Sequence, residues 1–186
     1  MILDQTFTNQ EYSKTRLPRG EYENCVFEGC TFENGYLDNQ NFMECEFIAC
    51  NLSNANVAHT IFKEVHFSDC KMIGLKFEDC NDFLMDFTFQ NCTLNFSSFY
   101  GLTLKKQDFK ACKLMEVDFT QANLAHANFE YSYLDNAIFS QTNLQNADFT
   151  KALNFSIDPE KNQLKNARFT KEGLPGLLKK HQLMVE

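Results

Sequence analysis

The chain has no apolar stretch of the ~18 residues that a membrane-spanning helix requires. Its start, MetIleLeuAspGlnThr, has neither the basic region nor the hydrophobic segment of a signal peptide. The expectation is a cytoplasmic protein with no membrane partner. The four histidines, His59, His66, His126 and His181, show no metal-ligand spacing, and the chain lacks a glycine-rich phosphate loop, a nucleophile elbow and a HisGluXxxXxxHis helix motif. Catalysis therefore has little to work with, and the expectation is a non-enzymatic protein with no catalytic residue, no cofactor and no metal. Positive charge is missing from one long stretch. Between Gly20 and Phe62 there is no Lys or Arg beside the acids Glu21, Glu23, Glu28, Glu33, Asp38, Glu44 and Glu46.

What the chain does have is a period. Large apolar residues recur at every fifth position, a spacing that belongs neither to an α-helix at ~3.6 nor to a flat strand at ~2. The first run is Phe7, Tyr12, Leu17, Tyr22, Phe27, Phe32, Leu37, Phe42, Phe47, Leu52, Val57, Phe62, Phe67, Met72 and Phe77. A second run alternates strictly, from Leu84, Phe89, Leu94 and Phe99 through Leu104, Phe109, Leu114, Phe119, Leu124, Phe129, Leu134, Phe139 and Leu144 to Phe149. Two positions before each centre the residue is small, as at Cys25, Cys30, Ala55, Cys92, Ala122 and Ala147. Each unit therefore turns two residues inward and the rest, mostly Asn, Asp, Glu, Gln, Ser, Thr or Lys, toward water. A pattern of this length indicates a repeat solenoid.

AlaAsnLeuAlaHis at Ala122 to His126, AlaAsnPheGluTyr at Ala127 to Tyr131 and AlaAspPheThrLys at Ala147 to Lys151 closely fit the unit of the pentapeptide-repeat proteins. The chain resembles that family over about residues 5 to 170. The resemblance implies an all-β fold, a right-handed quadrilateral parallel β-helix in which four units make one coil, here with a short C-terminal helical cap. Phe89, Phe109, Phe129 and Phe149 should then stack on one side and Phe99, Phe119 and Phe139 on the opposite one, with adjacent coils about 4.8 Å apart. The whole of 1–186 reads as a single domain. It divides into an N-terminal cap at 1–20, coils at 21–170 and a C-terminal tail at 171–186.

Two places break the register. Asp82 falls on an expected centre, where an unpaired charge cannot be buried, so a bulge near 78–88 is expected with Phe83 or Phe87 packed at the junction. Later, Asn154 and Pro159 fall on centres before Leu164 and Phe169 resume the phase, which implies a last coil with one altered side. LeuLeuLysLysHisGlnLeu at 177–183, with Pro175 ahead of it, predicts a short closing helix. The eight cysteines all lie two residues before a centre, Cys80 included, so they read as small buried hydrophobes rather than ligands or redox thiols. Neighbouring cysteines in a ladder would stand about 5 Å apart, close enough for a disulfide, but parallel side-chain directions and a reducing compartment favour free thiols.

Charge carries the functional expectation. The net value is −8. In the square coil Glu21, Glu23, Glu44 and Glu64 share one side and form a candidate partner-binding stripe, whereas Lys105, Lys106, Lys110 and Lys113 form a basic patch in the middle of the chain. An acidic rod repels nucleic acid and attracts a protein surface built to bind it. Within the family, the chain is most similar to the Qnr-type quinolone-resistance proteins, acidic rods that dimerise end to end and imitate duplex DNA on DNA gyrase and topoisomerase IV. That resemblance implies a DNA mimic with a type II topoisomerase as protein partner, no direct nucleic-acid contact, and a homodimer through Leu174, Leu177, Leu178, Leu183 and Val185. Capping of the last coil is the alternative role of that tail, and a scaffold for another protein is the alternative function. The projecting loops of many Qnr-type members have no counterpart here, so no loop residue is carried over. A rod of roughly eight coils spans about 40 Å, along which duplex DNA carries about 24 charges; the chain is a dilute copy.

Overall fold

The structure, a computed structural model, describes residues 1–183. Its strands are short: β1 (Ile2–Leu3), β2 (Thr6–Thr8), β3 (Glu21–Glu23), β4 (Val26–Glu28), β5 (Asn41–Met43), β6 (Glu46–Ile48), β7 (Ile61–Lys63), β8 (Val65–Ser68), β9 (Phe87–Gln90) and β10 (Phe109–Lys110). All pair in parallel, in one sheet ordered β1-β3-β5-β7 and another ordered β10-β9-β8-β6-β4-β2. Phe7 pairs with Phe27, Phe27 with Phe47 and Phe47 with Phe67. Single bridges carry the same ladder onward to Asp148 with Arg168. The chain is thus a parallel β-solenoid with four flat sides, and residues 1–20 form its first coil, with Tyr12 stacked on Phe32 and Leu17 buried.

Each strand is held to a few residues because a corner follows it. The corner residue, two places after most inward centres, adopts a left-handed backbone, and among the described residues ten of the 26 non-glycine residues in that conformation are Asn. Asn tolerates this region better than most side chains do. At Gly29 and Gly74 the corner is tighter still, since an added Cβ would meet the amide oxygen of Asn9 at 2.4 Å and that of Asn54 at 2.5 Å.

The core is a herringbone of rings. Phe7, Phe27, Phe47, Phe67, Phe89, Phe109, Phe129, Phe149 and Phe169 form one unbroken stack with centroids 4.7–5.8 Å apart. Phe77, Phe99, Phe119 and Phe139 form the opposing stack, and the two meet edge to face, Phe109 on Phe119 at 5.5 Å and 72°. Offset stacking along the axis and edge contacts across it are both favoured arrangements of the ring quadrupole. Both expected stacks are present, and Leu94, Leu114, Leu134, Leu124 and Leu144 fill the sides between them.

The small inward position does more than save volume. Its hydroxyl or thiol donates to a carbonyl in the preceding coil: Thr60 to Leu37 at 2.6 Å, Ser97 to Met72 at 2.7 Å, Thr142 to Phe119 at 2.8 Å, and Cys50 to Phe27 and Cys70 to Phe47 at 3.2 Å each. All eight cysteines are buried and free. Burial pushes the Cys45 thiol up to about 11 and raises those of Cys80 and Cys112 as well. A thiol reagent at neutral pH is therefore expected to label none of the eight in the folded protein and all of them in denaturant. Native-state labelling faster than unfolding would mean that the column is open.

The junction differs from the sequence expectation in which residues turn inward. Asn81 still bonds to the coil below, its N–H 2.9 Å from the Thr60 carbonyl, so the phase is unchanged there. Asp82 is carried out to solvent, and Leu84, placed inward by the alternating pattern, takes a left-handed corner and is 57% exposed. Phe83 is 68% exposed, and Phe87 alone of the two candidate phenylalanines packs at the junction. Asp82 to Met85 bulge out in a turn closed by the Met85 N–H to the Asp82 carbonyl at 3.3 Å, and the ladder resumes at Asp86, whose N–H donates to the Phe62 carbonyl at 2.9 Å, with the register shifted, Val65 pairing with Phe87 and Phe67 with Phe89. The cause is Asp82: a charge at an inward centre costs more than displacing the turn.

At the far end Asn154 also leaves the core, and Phe155 and Ile157 enter instead. Phe155 lies 5.5 Å from Phe149 and 5.4 Å from Phe169, closing the ring stack. The tail folds over it as α1 (Pro175–Leu178), followed by one tighter turn at Lys179–His181. The predicted helix thus starts at Pro175 and is shorter than 177–183. It is tied down by the Ile157 N–H donating to the Gly176 carbonyl at 3.0 Å and by Lys180, 2.7 Å from Asp158 and 2.6 Å from Glu160.

Candidate interaction surface

The side carrying β1, β3, β5 and β7 brings the four selected glutamates together. Glu21 and Glu23 flank buried Tyr22 on β3, so strand alternation turns both outward. Glu44 and Glu64 occupy successive corners of the same side, the Glu44 N–H donating to the Lys63 carbonyl at 2.9 Å. Asp4 holds the first corner of this column and accepts from the Asn24 amide at 2.6 Å. Among the described residues none of Glu21, Glu23, Glu28, Glu44 or Glu46 forms an ion pair; the one cation within the stripe is Lys63, 3.8 Å from Glu64. Other acids are neutralised locally: Arg16 and Arg19 sit on Asp38, Lys151 on Glu130 and Arg168 on Asp148. Exposed pairs of this kind contribute little stability, but they cancel field. The uncompensated potential is therefore concentrated in the N-terminal half.

The basic patch is not one surface. Lys105 and Lys106 lie on the same side as the glutamates, beyond the junction, while Lys110 is on β10 of the neighbouring side and Lys113 on the next, bridging Thr93. A second exposed feature escaped the sequence reading because its residues stand at different points of the unit. Phe96, Met115, Tyr133 and Leu153 are all exposed. Tyr133 and Met115, with Asn95, Lys113 and Asp135, line an open depression of 200 Å³.

The tail residues divide by role. Leu177 packs against the core, whereas Leu174, Leu178 and Leu183 are exposed; Val185 lies outside the described residues. Between α1 and the last coil is a cavity of 410 Å³ lined by Phe155, Gly173, Gly176, Lys151 and Lys179 among others. Among the described residues no three His, Cys, Asp or Glu side chains come together in a way that could hold a metal ion.

Comparison with known proteins agrees with the architecture. A family model described as pentapeptide repeat region matches residues 40–119, and one described as pentapeptide repeats (8 copies) matches residues 23–56 and 112–151. A search of curated proteins returns no match. Among solved structures, a trypsin-treated variant of QnrB1, a plasmid-mediated fluoroquinolone resistance protein, superposes with a TM-score of 0.74 at 16% identity, covering 100% of this chain and 91% of that one. A second trypsin-treated QnrB1 variant gives a TM-score of 0.66 at 14% identity, covering 99% of each chain. Likeness at such identities is likeness of fold.

Proposed function

The chain belongs to the pentapeptide-repeat family, and from that premise we propose that it is a non-enzymatic mimic of duplex DNA that binds a type II topoisomerase, DNA gyrase or topoisomerase IV, in the cytoplasm. The observation that carries this reading is the run of unpaired carboxylates at Glu21, Glu23 and Glu44, continued by Glu64, along one side of a straight rod. A basic channel shaped for a duplex is the natural complement of such a side. QnrB1, whose fold this chain shares, is described as a fluoroquinolone resistance protein, and protection of the topoisomerase from quinolones is the corresponding second readout. The partner is a protein, with no direct contact to nucleic acid. The active form is a homodimer joined through the exposed Leu174, Leu178 and Leu183.

The test is a supercoiling assay with purified gyrase, with and without a quinolone. The protein is expected to alter supercoiling, and reversing Glu21, Glu23, Glu44 and Glu64 to Lys together is expected to weaken binding at least tenfold at low salt, with the difference shrinking as salt is raised. Supercoiling indifferent to excess protein would rule the reading out. The exposed Phe96, Met115, Tyr133 and Leu153 favour a second reading, a scaffold for a different protein. Recovery of such a partner, dependent on Met115 and Tyr133 but not on the glutamates, would establish it.

A further inference from the structure

A β-solenoid has two ends, and each presents the edges of its sheets together with the last layer of its core. The far end is roofed by α1. Among the described residues nothing roofs the near end. Phe7 and Tyr12 are stacked from one side only, on Phe27 at 4.8 Å and on Phe32 at 5.0 Å, and with Ile2 they stay partly buried. An open layer with bare strand edges is where another chain would add its own strands.

The hydrogen bonds at this end argue against such addition. In the second coil the carbonyls of Glu23, Glu28 and Thr31 accept from the N–H groups of Asp4, Asn9 and Tyr12 in the coil before, at 3.1, 2.8 and 2.7 Å. Their register partners in the first coil are Leu3, Thr8 and Glu11, which have no coil before them. A side chain stands in for the missing donor each time. Gln5 Nε2 donates to the Leu3 carbonyl at 3.1 Å, Gln10 Nε2 to that of Thr8 at 2.8 Å, and Thr15 Oγ1 to that of Glu11 at 2.8 Å. Gln5 and Gln10 occupy the small inward position, where the next coils have Cys25 and Cys30 and then Cys45 and Cys50. With no layer above them, both amides turn along the edge and are exposed. On the remaining side Pro18 has no N–H to offer. Leu3, Thr8 and Glu11 are themselves exposed, so water would satisfy their carbonyls equally well. Satisfying those groups does not by itself call for three side chains.

We propose that the first coil is a closed edge, in which Gln5, Gln10 and Thr15 occupy acceptors that a strand of a second copy would need and so keep copies of the chain from stacking on this end. With one end closed, contact through the tails joins two rods and stops there. Were both ends open, head and tail contacts would alternate along a filament without limit. The closed edge does not depend on what binds the glutamates, which project from a side of the rod.

Thr6, on β2 between the two glutamines, is the place for a reporter thiol, because all eight native cysteines are buried. Thr6→Cys is introduced into the full chain alone and together with Gln5→Ala, Gln10→Ala and Thr15→Val, and both proteins are treated with a flexible bis-maleimide. The opened protein is expected to give at least tenfold more cross-linked dimer than Thr6→Cys alone, where tail contact holds the two reporters at opposite ends. Light scattering of the opened protein, without the reporter, should show particles larger than wild type that grow with concentration. Continued protection of the native thiols shows that it is folded. Should the triple change loosen the first coil, Gln10→Ala alone carries the same test. Ready cross-linking of Thr6→Cys with its caps in place overturns the proposal, as does an opened, folded protein that keeps the wild-type mass and does not cross-link. The first outcome would make the near end an ordinary association site, and the second would reduce the three side chains to local hydrogen bonds.

Discussion

Replacing Phe109 by Ala is expected to destabilise the fold by about 3–5 kcal/mol, the usual cost of emptying a large aromatic site in a core that cannot collapse. Phe109 is fully buried midway along the rod, stacked on Phe89 at 5.8 Å and Phe129 at 5.3 Å and edge-on to Phe99 and Phe119. Four ring contacts disappear together, and the backbone around the void is pinned by bonds to the coils above and below, such as the Phe109 N–H to the Asn128 carbonyl at 2.9 Å. For a chain of this size the loss corresponds to a melting temperature lower by roughly 2–4 °C per kcal/mol. Phe109→Leu should recover more than half of it, because Leu already fills the adjoining sides at Leu104 and Leu114. Thermal and urea unfolding measure both; a loss below about 1 kcal/mol for the alanine variant would mean the ring stack is not what holds the coils together.

Gly176→Val is the second large effect, and it acts on the end rather than the middle. Even a Cβ at this position would lie 2.6 and 2.7 Å from ring atoms of Phe155 and 2.7 Å from its carbonyl oxygen. The ring cannot yield, because Phe149 and Phe169 back it. The helix must lift instead, breaking the Ile157 to Gly176 bond and unfolding the already exposed Lys179 and Lys180 into a form that trypsin cleaves. Overpacking of this kind costs about 1–3 kcal/mol, here confined to the tail while the coils stay resistant. Light scattering then reads the role of Leu174, Leu178 and Leu183. The expected result is a mass that halves relative to wild type; an unchanged mass would reduce the tail to a lid.

The core was legible because its signal is redundant. Phe or Leu at every fifth place, stated over and over, allows one ring ladder to be drawn from spacing alone, and Phe89, Phe109, Phe129 and Phe149 stand where that spacing puts them. The corners were not legible as corners, since their residues look merely polar; the Asn bias two places after the centre, at Asn9, Asn24, Asn34, Asn39 and Asn54, was the available signal. The junction exposes the limit of periodicity. Asp82 announced a break, but the strict alternation beyond it counted Leu84 as inward, whereas Leu84 sits in the displaced turn and the ladder resumes only at Asp86. The glutamate stripe was legible from charge counting. That Lys63 pairs with Glu64 within it required the structure.

The stacking contacts along the rod join residues one coil apart, as Phe27 joins Phe47 and Phe129 joins Phe149. The loop that must close to form such a contact is the same size in the third coil as in the eighth, so the entropic cost of each closure does not grow as the chain lengthens. Folding can then proceed like a zip behind a chain still being synthesised, each new coil finding its template finished. The step that waits is the one at Asp82 to Phe87, where the next coil must be joined through a loop of a different length.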